Sequence, residues 1–183
     1  MSEYNSCGAV TITAINAKCD GSIGGIKEIY LIPSDYVTSV TVDATSDLIT
    51  AITLSDSVKF QKWQFRPNTG AYTSTRAGDL TTGNSTVTTD VTLQFSKAEA
   101  NKRLAIQSAI NAGCAVIVKD MYGGYLLLGA GEGRNEAFIT DAVMQSGTTN
   151  TDLSGFTLTF EEIAGEFPHF IDSEKVSIDD LLA

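Results

Sequence analysis

Val87-Thr88-Thr89-Asp90-Val91-Thr92-Leu93-Gln94-Phe95-Ser96-Lys97-Ala98-Glu99 is the stretch whose reading decides the fold. Val87, Val91, Leu93 and Phe95 stand at odd positions, with Thr88, Asp90, Thr92 and Gln94 between them. That period of two predicts a strand with one dry and one wet face. Ser96-Lys97-Ala98-Glu99 then has the form of a capping box, so a helix is expected over residues 96–113. Its Ala98, Ala105, Ile106, Ala109 and Ile110 share one side, and Asn111-Ala112-Gly113 ends it. Beyond it, Ala115–Val118 and Tyr125–Leu128 are apolar runs around Gly123-Gly124, which predicts a hairpin.

On the N-terminal side, Val58 and Phe60 are apolar at even positions, and Trp63 and Phe65 at odd ones. Either both faces of this segment are buried, or a bulge near Gln61-Lys62 resets its register; the bulge is the favoured reading. Residues 66–86 turn polar, with Pro67, Gly70, Gly78 and Gly83 among many threonines and serines. Threonine favours extended chain, so residues 57–96 read as one long hairpin whose tip needs a partner. Gly25–Ile32 (closed by Pro33), Leu48–Leu54, a short piece at Val40–Val42, Glu136–Met144 and Phe156–Phe160 read as further strands. The expected class is mainly β with one α-helix: two packed antiparallel sheets, a β-sandwich or barrel, with a flanking helix and a long hairpin loop. Residues 1–25 are expected to form an N-terminal arm or edge strand, 26–166 the β domain, and 167–183 a C-terminal arm laid on this subunit or a neighbour.

The chain has 183 residues and a formal net charge of −10, which disfavours gripping nucleic acid through the bulk surface. An acidic wall can still enclose DNA without holding it. Cys7, Cys19 and Cys114 are too few and too far apart for a disulfide framework or a zinc site, and Cys114 reads as a small core residue. Met1–Asn5 has neither a basic nor an apolar signal region, and no apolar run approaches the roughly 20 residues of a membrane span. An intracellular product, or one released by lysis, without a membrane anchor is expected.

No nucleophile, base and ligand set comes together. His169 is the sole histidine. Gly129-x-Gly131-x-Gly133 lacks the lysine of a phosphate loop. Glu161-Glu162 and Asp179-Asp180 are adjacent pairs, whose side chains diverge in a strand. Neither an enzyme nor a cofactor is expected. Charge is segregated, however. Lys59, Lys62, Arg66 and Arg76 stand without an acid among them, while Glu161, Glu162, Glu166, Asp172, Glu174, Asp179 and Asp180 face Lys175 alone. These basic and acidic sets, with Tyr72 as an exposed aromatic, are the expected contacts of a head-to-tail assembly.

The order of elements, carried by the hairpin Val58–Phe95, the helix Ser96–Gly113 and the strands Ala115–Gly129 and Gly155–Glu166, resembles the tail tube proteins of long-tailed bacteriophages. The same fold recurs in the tube of type VI secretion. The texture of the sequence is also similar to structural proteins of phages that infect gut Bacteroidetes. The resemblance implies a virion protein, assembled in the host cytoplasm, that forms hexameric rings stacked into a tube and meets other tail proteins. It implies a shared inner barrel around a negative lumen through which DNA passes unbound, with the long loop and terminal arms bridging rings. Thr88, Asp90, Thr92 and Gln94 would line that lumen. A terminator or collar ring, or a β-rich module binding peptide or glycan, are the alternative readings.

Overall fold

The computed structural model describes residues 14–15, 23–55, 58–79 and 81–183. The expected N-terminal arm therefore lies almost wholly outside the described residues. In chain order the elements are β1 (Ile26–Pro33), β2 (Val37–Val42), β3 (Leu48–Leu54), β4 (Gln61–Trp63), β5 (Ala71–Gly78), β6 (Ser85–Ser96), α1 (Ala100–Ile110), β7 (Cys114–Asp120), β8 (Tyr125–Leu128), β9 (Phe138–Gln145), β10 (Gly155–Ala164), β11 (Phe170–Ile171) and α2 (Ile178–Leu181). A seven-stranded sheet runs β2-β3-β11-β8-β7-β1-β4, and a four-stranded sheet runs β5-β6-β10-β9. At 49% strand and 11% helix, the protein is mainly β, a sandwich of two packed sheets with a flanking helix.

The apolar runs of β1, β7 and β8 follow from burial on both faces. Ile29, Leu31, Val116, Val118, Leu126 and Leu128 face the second sheet. Tyr30, Ile32, Ala115, Ile117 and Leu127 face the other way, together with Ile171 of β11, where Val176 and Ile178 cover them. The chain end is thus part of the fold rather than a free arm. Leu182 bridges to Phe60, and the Phe60 amide donates to the Leu181 carbonyl at 2.9 Å. The four-stranded sheet instead alternates cleanly. Val91, Leu93 and Phe95 of β6 and Phe156, Leu158 and Phe160 of β10 fill the space between sheets, and Val87 of β6 is buried on the same side. Trp63 closes that core edge-on to Phe95 and Phe160, with ring centroids 5.8 and 6.2 Å away.

Three expectations are corrected. The helix begins at Ala100 rather than Ser96, and no capping box forms. Ser96 stays in β6, paired with Gly155, and Lys97 at φ 66° turns the chain before the helix. Sheet pairing outcompetes the local cap. Next, β4 carries no bulge: Trp63, Lys62 and Gln61 pair in regular register with Ile29, Tyr30 and Leu31. Both faces are buried instead, Phe60 in the outer cluster and Trp63 and Phe65 against the core between sheets. Finally, 57–96 is not one hairpin. β4 belongs to the seven-stranded sheet, whereas β5 pairs rung by rung with β6 from Ala71↔Thr92 to Gly78↔Ser85. The β7–β8 hairpin forms as expected, its turn held by Asp120 Oδ1 accepting from the amides of Tyr122 and Gly124, each at 2.8 Å.

Candidate assembly surface

Strand alternation in β6 puts Thr88, Asp90, Thr92 and Gln94 together on the outward side of the four-stranded sheet, each half-buried by its neighbours. Register extends this face across all four strands. One row runs Thr73, Asp90, Glu161, Phe138 and the next Ala71, Thr92, Thr159, Asp141. Thr92 and Thr159 hydroxyls meet at 3.3 Å. Asp90 stands directly opposite Glu161, a like-charge pair that costs stability. The outward positions of β5, β6, β9 and β10 carry no lysine or arginine, so the face is acidic and threonine-rich.

The two edges of this sheet are β5 and β9, each of eight residues. β5, β6, β10 and β9 alternate in direction, so the two edges run opposite ways. Ala142, Val143 and Met144 lie exposed on the β9 edge.

The residues expected at subunit contacts are scattered. Lys59 is exposed beside Phe60, and Lys62 belongs to the edge of the seven-stranded sheet. The Lys62 ammonium is 2.5 Å from Glu28 Oε1, and Lys119 is 3.3 Å from Glu28 Oε2. The Lys62 hydrogen bond chiefly holds the Glu28 carboxyl down at about 2, from an ordinary 4.5. Arg66 is exposed next to β6, where its amide donates to the Gln94 carbonyl. Arg76 sits on β5 and donates to the Ser85 hydroxyl at 3.2 Å. Tyr72 is not an exposed platform: it is half-buried and packs against the core. Glu161 faces outward, Glu166 Oε1 accepts from His169 Nε2 at 2.9 Å, and Asp179 and Asp180 are exposed on α2.

Glu162 is removed from any such contact because it is buried. Its carboxylate takes both Arg134 Nε at 2.9 Å and Nη2 at 2.7 Å, and the Gly129 amide at 2.8 Å. The side chains of Arg134 and Glu162 are 3% and 0% exposed. Arg134 Nη1 also donates to the Phe167 carbonyl at 3.1 Å, so one guanidinium ties the β8–β9 connection to β10 and the loop beyond it. Gly129, at φ 76°, is needed there, since a Cβ would collide with the Cys114 carbonyl oxygen. Sequence reading missed this clasp, although Glu162 continues the inward set Phe156, Leu158, Phe160. A second polar pair in the same layer, Ser74 with buried Thr89, has its hydroxyls 2.9 Å apart.

Among the described residues, no buried side-chain nitrogen or oxygen lacks a hydrogen-bond partner, and no group of three or more His, Cys, Asp or Glu is placed to hold a metal ion. Burial pushes the Cys114 thiol up to about 11. The polar interior is therefore fully engaged in structure, and the open chemistry of the molecule lies on its sheet face and edges. Comparison with protein-family models and with curated proteins gave no match to this chain.

Proposed function

We propose that the chain is a structural subunit of a phage tail tube, in which copies join into a hexameric ring and rings stack around a DNA passage. The observation that carries the reading is the four-stranded antiparallel sheet whose two edges, of equal length, are unpaired among the described residues. Because the strand number is even, a rotated copy offers its β9 to β5 in antiparallel sense, and the alternation continues without a break. Repeating that step closes a barrel and removes both edges of the four-stranded sheet. The acidic face, free of lysine and arginine at its outward positions, would then form an inner wall that repels the DNA backbone, so that DNA slides without being held. Thr88, Asp90, Thr92 and Gln94 lie on that wall. The cost of setting Asp90 against Glu161 makes sense if negative charge on this face serves the passage rather than the fold.

Negative-stain microscopy of the concentrated protein tests this. Rings or tubes about 100 Å across, the span of six domains of this size around a DNA-wide hole, are the expected result. Rings that never stack would favour a terminator or collar. Monodisperse monomers at every concentration would contradict assembly and favour a small binding module.

A further inference from the structure

A groove of about 330 Å³ opens between β4 and α1. Trp63, Phe95, Ala105 and Ile106 form its apolar part, and Gln64, Asn101 and Lys102 its polar border. Leu104 on the same helix is 69% exposed. The elements around the groove carry positive charge: Lys97, Lys102 and Arg103 at the start of α1, and Lys27 and Lys62 beside Trp63. Glu99 bridges Lys97 and Lys102, and Glu28 pairs with Lys62, so of these five cations Lys27 and Arg103 remain without an ion pair among the described residues. In a chain of net charge −10 such a region is an exception.

The chain also carries the complement. Between β10 and α2, Phe167 and Phe170 are 53% and 42% exposed, three residues apart in a stretch that holds Glu166, Asp172 and Glu174, of which Glu166 meets His169 and Asp172 meets Lys175 while Glu174 stands apart from both pairs. The backbone of this knob is fixed, with the Phe167 carbonyl held by Arg134 and Phe170 paired to Leu48 and Leu126 in β11. β11 and β4 are separated by β8, β7 and β1 in the sheet, so knob and groove are on different parts of one molecule.

We infer that the groove between β4 and α1 receives the acidic Phe167–Phe170 segment of a second copy of this chain. An apolar floor meets an aromatic side chain, a basic surround meets carboxylates, and the contact is head-to-tail, leaving a knob and a groove free at the ends. A groove of this size takes one or two side chains. The inference rests on self-association alone. It uses neither β5, β9 nor the acidic sheet face, so it is a contact separate from barrel closure.

Trp63 is the sole tryptophan and lies in the groove, so its fluorescence reads occupancy directly. The experiment measures acrylamide quenching and emission maximum of the full chain across concentration, with sedimentation in parallel. Quenching falls and emission shifts blue as concentration rises, and raised salt reverses both. Phe167→Ser with Phe170→Ser moves the midpoint to about tenfold higher concentration or more, the usual effect of losing an aromatic anchor. Arg103→Glu, at an exposed helix position, weakens the contact in the same direction, and an unchanged circular dichroism spectrum excludes misfolding. Protection already complete at the lowest concentration would mean that the chain fills its own groove. Protection unchanged in the double phenylalanine variant would mean that another surface or partner enters it. Association with Trp63 still fully quenchable would place the contact elsewhere, and no association would remove it. Each of these overturns the inference. Tubes with a quenchable Trp63 would do so while leaving the tube reading intact, and a protected Trp63 in particles without rings would do the reverse.

Discussion

At the scale of single residues, two ionic sites differ in what they do for the fold. Glu28 is partly exposed among Lys62, Lys119 and Tyr30, and its carboxyl titrates at about 2. A carboxyl lowered by folding stabilises fully above its unfolded value of about 4.3, and that contribution is lost as pH falls through the folded value. Thermal midpoints followed from pH 5 down to about 2 should therefore fall less steeply in Glu28→Gln than in the parent. The Arg134–Glu162 pair is a different case, because both groups are buried. Removing one partner strands the other charge, so Arg134→Ala or Glu162→Ala should each cost about 3–5 kcal/mol by denaturant unfolding. Arg134→Met with Glu162→Leu, which removes both charges, should cost less than either truncation. Equal losses in all three would refute the account of this clasp. Glu162 was legible as inward from the alternation of β10. Arg134 was not, because a glycine-flanked residue in a connection has no period that tells which way it turns. Cys114 read correctly as core because an apolar run announces its own burial.

At the scale of elements, what could be read was what repeats. The period of two in β6 and β10 correctly placed the dry and wet faces, and the Gly-Gly signal placed β7–β8. Misreadings came where a local pattern competed with a distant partner. Ser96-Lys97-Ala98-Glu99 has good capping chemistry, yet Ser96 has Gly155 across from it, and the ladder wins. Phe60 and Trp63 looked like a broken alternation because the cluster that buries Phe60 is completed by Val176, Ile178, Leu181 and Leu182, far along the chain. The C-terminal segment, expected to lie on this subunit or a neighbour, packs on this one. Its Val176 and Ile178 cover the outer face of the seven-stranded sheet, so Ile178→Ala should destabilise by about 2–5 kcal/mol. A calorimetric midpoint unchanged by that substitution would show that the segment is a loose arm after all. On the acidic face, Asp90→Asn should stabilise the monomer slightly, by about 0.2–1 kcal/mol, by relieving its opposition to Glu161.

At the scale of the whole molecule, one sheet is finished and the other is open. The seven-stranded sheet has both faces covered along its centre, by the second sheet on one side and by the chain end on the other. Among the described residues, the four-stranded sheet has one uncovered acidic face and two unpaired edges. Natural sheets usually blunt such edges with prolines, inward charges or covering segments. β5 and β9 contain no proline and no lysine; their charges are Arg76, at an inward position of β5 opposite Val87, and Asp141 on β9. Sequence could show that a polar strand lay after β4, but not that it ended a sheet, since pairing partners are set by register and not by composition. The central claim is that these two edges meet between copies. Amide hydrogen exchange, compared between dilute and assembled protein, tests it without assuming a register. The account predicts that the slowing on assembly concentrates in Ala71–Gly78 and Phe138–Gln145. Assembled protein in which both segments exchange as fast as in the dilute monomer would contradict it.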